Sequence, residues 1–122
     1  FLQAATDNVL NTLKSQQKDV WYYRFDWDEE PAPFNDIYGA AHAFDLPFLF
    51  GSFGPSLFSN IANSTANRPG RLALSQAMMN SLGAFARRGD PTLPKVLGTP
   101  WPAWPSKLIF DATPTDKDIS LQ

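Results

Sequence analysis

The chain has 122 residues, of which 43% are hydrophobic and 18% charged, with a formal net charge of −2. That balance suits one folded domain and argues against disorder, and without clustered positive charge a nucleic-acid partner is a poor expectation. The absence of cysteine removes disulfide, iron–sulfur and thiolate–zinc readings together, and no apolar stretch is long enough to span a membrane.

Leu2, Ala5, Val9, Leu10 and Leu13 recur at helical spacing, so an amphipathic helix is predicted to open the chain and end near the polar KSQQKD. VWYYRFDW follows. Trp21, Tyr23, Phe25 and Trp27 alternate on one face, with Val20, Tyr22, Arg24 and Asp26 on the other. Period 2 and strong β-formers predict a strand, and two apolar faces at its start predict an interior one covered on both sides. DEEPAPFND reads as an exposed loop with solvated carboxylates, and it lacks the alternation and turn glycine of a calcium loop.

FDLPFLF, broken by Pro47, predicts a short helical turn or buried loop. GSFGPSLFSN should turn the chain, and IANSTANRPG reads as a loop in which Asn63-Ser64-Thr65 matches the glycosylation pattern, a frequent chance match. The clearest helix is RLALSQAMMNSLGAFARRGDP. Leu74, Met78, Leu82, Phe85 and Ala86 share one face, Arg87 and Arg88 suit the C-terminal dipole, Gly89 is the expected C′ residue and Pro91 stops the helix. Its methionines read as core filler. The proline-rich stretch from residue 91 to residue 114 predicts an extended wrap. KLIFD is a candidate strand and DISLQ another.

His42, in GAAHAFDLPFLFG, is the single histidine. One histidine without cysteine or an i, i+4 ligand pair gives no metal site, and no phosphate-binding glycine loop is present. A serine hydrolase needs a nucleophile, a histidine base and a carboxylate. GPSLF begins the Gly-x-Ser-x-Gly pattern with Gly54 and Ser56, but Phe58 replaces the second glycine, and the serine follows the histidine, against the usual chain order. The chain therefore holds at most the last member of such a triad. On composition alone, a packed structural histidine is the weightier reading.

Four blocks in order change that balance: YYRFD, GAAHAFDLPFLFG, LSQAMMNSLGAFARRGDP and WPAWP. Together they resemble the C-terminal part of the type B carboxylesterases, the carboxylesterase and cholinesterase family of the α/β-hydrolase fold. The likeness covers most of residues 20–111. It implies an α/β fold class with few short strands and amphipathic helices, residues 1–122 forming the C-terminal portion of the domain. By the resemblance His42 is the catalytic base of the triad. Asp45 stands where the family usually has Glu and is expected to anchor the loop, the triad carboxylate lying upstream. Ala43 stands where the family often has Gly, which bears on loop geometry. The resemblance implies a small carboxylic ester as substrate and no cofactor.

The nucleophile elbow, oxyanion hole and triad glutamate of that family are absent from these 122 residues, so the isolated chain is expected to be inactive. The opening FLQAATDNVL without Met suggests a processed chain, a trimmed one or a piece of something longer, and the resemblance favours the last. Such a piece should expose apolar surface and self-associate through it or through a strand edge. Two other readings stay open: a non-catalytic cholinesterase-like adhesion module, and a small interaction domain with His42 merely packed. Phe44, Phe48 and Phe53 are expected in core packing rather than in a substrate pocket.

Overall fold

The structure, a computed structural model, describes residues 2–122, and the side chains of Leu2 and Gln3 lie outside the description, as does the part of the predicted apolar face that Leu2 would fill. Helix α1 (Leu2–Gln16) leads to strand β1 (Tyr22–Phe25). Three short helices follow, α2 (Phe34–Ile37), α3 (Leu46–Phe50) and α4 (Ser59–Ala62). The long α5 (Arg68–Arg88) and short α6 (Pro94–Leu97) come next, then β2 (Lys107–Ala112) and β3 (Lys117–Leu121). The described strands form one sheet in the order β1-β2-β3, with β1 and β2 parallel and β2 and β3 antiparallel. This is the α/β class expected from the sequence.

β1 departs from expectation in one respect. Its two faces are covered, but it lies at the edge of the described sheet rather than inside it. The odd residues face the main core. The Phe25 and Trp27 rings each lie about 5 Å from Phe48 of α3, at 5.0 and 5.1 Å, and Tyr23 meets Phe110 of β2 edge-on at 5.4 Å. On the opposite face Tyr22 packs against Trp104, in a second cluster with Leu10 of α1 and Val20. The Trp104 indole N–H donates to Asn11 Oδ1 at 2.8 Å, which ties α1 to the proline-rich tail. α1 buries little more than this: Val9 and Leu13 of the predicted apolar face are exposed.

α5 is the main helix of the core and starts earlier than its periodicity suggests. Asn67 precedes it, and Pro69 occupies its first turn, where a missing N–H costs nothing. Leu74 and Met78 are fully buried, as predicted, each stabilising by roughly 1.5–3 kcal/mol. Gly70, Arg71, Ser75, Ala77, Ser81 and Ala84 are buried as well, whereas Leu82 and Phe85 are 41% and 47% exposed and Ala86 is exposed too. The buried face is thus turned toward small residues, and Ser75 on the same helix holds α3. Gly70 is part of this packing: a Cβ there would collide with the Thr113 carbonyl, and its N–H donates to Pro114 O at 3.0 Å. At the other end Gly89 takes φ 73° and donates to Phe85 O at 2.7 Å, the expected left-handed cap.

The segment read as an exposed acidic loop is partly internal. Glu30 is 3% exposed, and neither of its carboxylate oxygens has a hydrogen-bond partner among the described residues. The loop is pinned by buried Asn67, whose amide donates to Glu29 O and Ala62 O, both at 2.8 Å, while its Oδ1 accepts from Ser64 N and Arg71 Nε. Arg71 lies over the Phe53 ring at 4.7 Å. Likewise IANSTANRPG is not all loop, since it holds the end of α4 and the first turn of α5.

Candidate active-site loop

β1, which lies parallel to β2, delivers the chain through a loop and α2 into residues 39–45. This segment turns on left-handed backbone. Gly39 has φ 50°, and Ala43 has φ 66°, the one described non-glycine residue with positive φ. His42 immediately precedes it in the turn and is exposed; no hydrogen bond, ion pair or ring contact engages its imidazole among the described residues. Phe44 follows, 7% exposed, its ring 5.6 Å from Phe58 and 6.4 Å from Tyr38. The alternation is therefore sharp: His42 outward, Phe44 inward as an apolar plug.

Asp45 ends the turn at the N-terminus of α3. Its Oδ2 accepts the Tyr23 hydroxyl at 2.9 Å, joining the loop to the middle of β1. Burial, then the hydrogen bond to Asp45 and the repulsion of its carboxylate, push the Tyr23 phenol up to about 12. α3 itself is held by Ser75 of α5, whose hydroxyl donates to Phe48 O at 2.8 Å. Gly51 closes α3 with φ 63°. The segment after His42 is thus fixed to β1, by Tyr23, and to α5, by Ser75.

A small cleft of about 60 Å³ lies beside the loop, walled by Ala43, Phe44, Phe48, Phe53 and Phe58 and by Trp27. Phe44 and Phe48 are buried and Phe53 half-buried, so their packing role stands, and they also form this apolar wall. Gly54 and Ser56 line the same cleft. Ser56 is exposed and bonded only within its turn, its Oγ accepting from Ser59 N at 3.1 Å. Among the described residues no group of three or more His, Cys, Asp or Glu could hold a metal ion, and no helix is long and apolar enough to cross a membrane.

The residue that sequence reasoning missed is Tyr23. It was placed on the core-facing side of a strand without a partner. A phenol in that position needs one, and the carboxylate three residues past the histidine was the candidate.

β1 lies parallel to β2 and leads to a histidine-bearing turn and a short helix held on the long α5, an arrangement that fits part of an α/β-hydrolase. The model of the carboxylesterase family matches residues 1–115, and the chain belongs to that family. No curated protein matches it. Among solved structures it is similar to the Geobacillus stearothermophilus carboxylesterase Est55, at 31% identity and a TM-score of 0.60, over 84% of this chain and 20% of that one. It also has the fold of part of an esterase from the anaerobe Clostridium hathewayi that can hydrolyse aliphatic aromatic polyesters, at 23% identity and a TM-score of 0.57, over 84% of this chain and 18% of that one. The chain therefore spans about a fifth of the length of these relatives.

Proposed function

We propose that this chain is the C-terminal portion of a serine carboxylic-ester hydrolase domain and supplies its general base, His42. The observation that carries this reading is the pairing of an outward, unengaged imidazole with a tethered loop. Among the described residues no hydrogen bond, ion pair or ring contact engages the ring, while the residues after it are fixed to β1 and α5. A base must be free toward its substrate and rigid behind.

In the reaction, one imidazole nitrogen takes the proton of a serine hydroxyl as its oxygen attacks the ester carbonyl. The imidazolium formed then gives that proton to the departing alkoxide, leaving an acyl-serine. A water deprotonated by the same nitrogen attacks the acyl group and returns free serine and a carboxylic acid. No cofactor takes part. These 122 residues contain no Gly-x-Ser-x-Gly, so the chain alone has no nucleophile to activate and is expected to be inert.

The test joins this chain to segments bearing a carboxylesterase serine and glutamate. Turnover of a p-nitrophenyl ester and labelling by a fluorophosphonate are compared with and without His42→Ala. Loss of both on the substitution supports the assignment. Undiminished labelling and turnover would sink it. The 122-residue chain alone should label in neither form.

A further inference from the structure

The chain has two methionines, neighbours on α5, and the fold treats them differently. Met78 is 1% exposed, in the same core cluster as Leu74. Met79 is partly exposed. Its thioether lies directly on Gly51, the left-handed residue that closes α3. A Cβ at Gly51 would stand 2.8 Å from Met79 Sδ and 3.1 Å from its methyl carbon, so the missing Cβ leaves room for that sulfur. One turn earlier on the same face of α5, Ser75 donates to Phe48 O at 2.8 Å. α3 therefore rests on α5 through a polar contact at Phe48 and a sulfur contact at Gly51.

We infer that Met79 is an oxidation site through which hydrogen peroxide loosens α3 from α5, and with α3 the segment that follows His42 and Asp45. The thioether sulfur attacks one peroxide oxygen. An S–O bond forms as the O–O bond breaks, and the displaced oxygen leaves as water; the sulfur is oxidised and the peroxide reduced. Methionine sulfoxide is polar and carries its oxygen on the sulfur itself. At Met79 that sulfur is the atom packed on Gly51. The N–H groups of Gly51 and Ser52, at this end of α3, are already given to Pro47 O. The sulfoxide oxygen therefore turns toward water and draws the sulfur off Gly51, since a polar oxygen without a donor is costly against an apolar contact. Met78 has the same chemistry and no access. This inference is independent of the role of His42.

The experiment is mild hydrogen peroxide treatment of the folded 122-residue chain, read by peptide mass mapping and by amide exchange at Leu49 and Ser52. Those two N–H groups are bonded to Asp45 O and Pro47 O, so their exchange reports the opening of α3. Met79 should gain one oxygen while Met78 stays unmodified. Exchange at Leu49 and Ser52 should then rise several-fold, and by more than at Leu74 of α5. Methionine sulfoxide reductases should restore both mass and exchange, which separates this site from damage elsewhere. Met79→Leu, close in volume, should exchange as wild type and ignore peroxide. Equal oxidation of Met78 and Met79 in the folded chain overturns the inference. So does a Met79 sulfoxide form whose exchange at Leu49 and Ser52 rises no more than that at Leu74, or a peroxide effect on exchange that persists in Met79→Leu.

Discussion

The hydroxyl of Tyr23, in β1, donates to the carboxylate of Asp45 at 2.9 Å and so fixes the end of the histidine turn to a strand 22 residues earlier. A hydrogen bond to a charged acceptor in a half-buried place contributes roughly 1.5–3 kcal/mol. Tyr23→Phe and Asp45→Ala should each lower unfolding stability by about that amount, measured by urea titration. They should also speed amide exchange across residues 43–46 more than across α5.

Burial of the Tyr23 phenol, together with this contact, sets a pH dependence. The Tyr23 phenol is held up near 12, against an ordinary value of 10.0. Below 10 both folded and unfolded chains are protonated at this group and stability is unaffected by it. As pH rises from about 10 through about 12 the unfolded chain loses the proton first, so stability falls over that window. The phenolate absorbance of the folded protein should show a step near 12 that Tyr23→Phe removes. A wild-type titration complete well below 12 would contradict the geometry.

Ala43 adopts φ 66°, where a Cβ crowds the backbone by roughly 1–2 kcal/mol and glycine does not. Ala43→Gly should therefore stabilise the chain, by about 0.5–1 kcal/mol once the added freedom of the unfolded state is subtracted. Ala43→Val should destabilise it, because a β-branched residue tolerates positive φ poorly. Thermal melting of the three forms orders them Gly, Ala, Val.

How much of this was readable beforehand varied with distance along the chain. The helix that contains Leu74 and Met78, its Gly89 cap and the strand at Tyr22–Phe25 follow from local periodicity and local backbone preference. The edge position of β1 does not, because pairing is decided by residues 107–112, far away in sequence. Phe85 reads as apolar and therefore inward; its exposure reflects the choice of small residues, Ala77, Ser81 and Ala84, as the contact stripe. Glu30 reads as solvent-facing from its neighbours Asp28 and Glu29, and is buried because Asn67, 38 residues beyond Glu29, draws the loop inward. For the site, the histidine block was legible as a local motif, and Asp45 as its anchor. The other end of the tether, Tyr23, is a long-range partner and was not.

Gly70 offers a sharp test of the packing between α5 and the β2–β3 turn. A Cβ at this position meets the carbonyl of Thr113, which is main chain and cannot rotate aside. Helix propensity alone favours Gly70→Ala by about 1 kcal/mol. The collision should reverse the sign and destabilise by at least 2 kcal/mol, in the range of overpacking. Chemical denaturation of this single variant decides between the two effects, and a more stable protein would show that the turn sits farther from α5.

Asp111 is the next-to-last residue of β2, in a half-buried place. Burial is the main cause that lifts its carboxyl to about 6, with Asp28, Asp118 and Asp26 adding repulsion; a bond from Ala112 N at 2.7 Å offsets part of this. Its ordinary value is 3.8. Below that value the group is protonated in both states and carries no penalty. Between about 4 and 6 the unfolded chain ionises and the folded chain does not, so stability falls as pH rises, and above about 6 the whole penalty is present. Asp111→Asn keeps an acceptor for Ala112 N and removes the charge. The variant should be more stable than wild type at pH 8, should match it near pH 4, and should lack the wild-type decline between. Glu30, raised in the same direction by burial and by Asp28 and Glu29, titrates with the same sign. Asp111→Asn should therefore flatten only part of the profile, and Asp111→Asn with Glu30→Gln should flatten it further. Urea midpoints at several pH values measure both, and a wild-type profile that rises across this window would exclude the buried environment of Asp111.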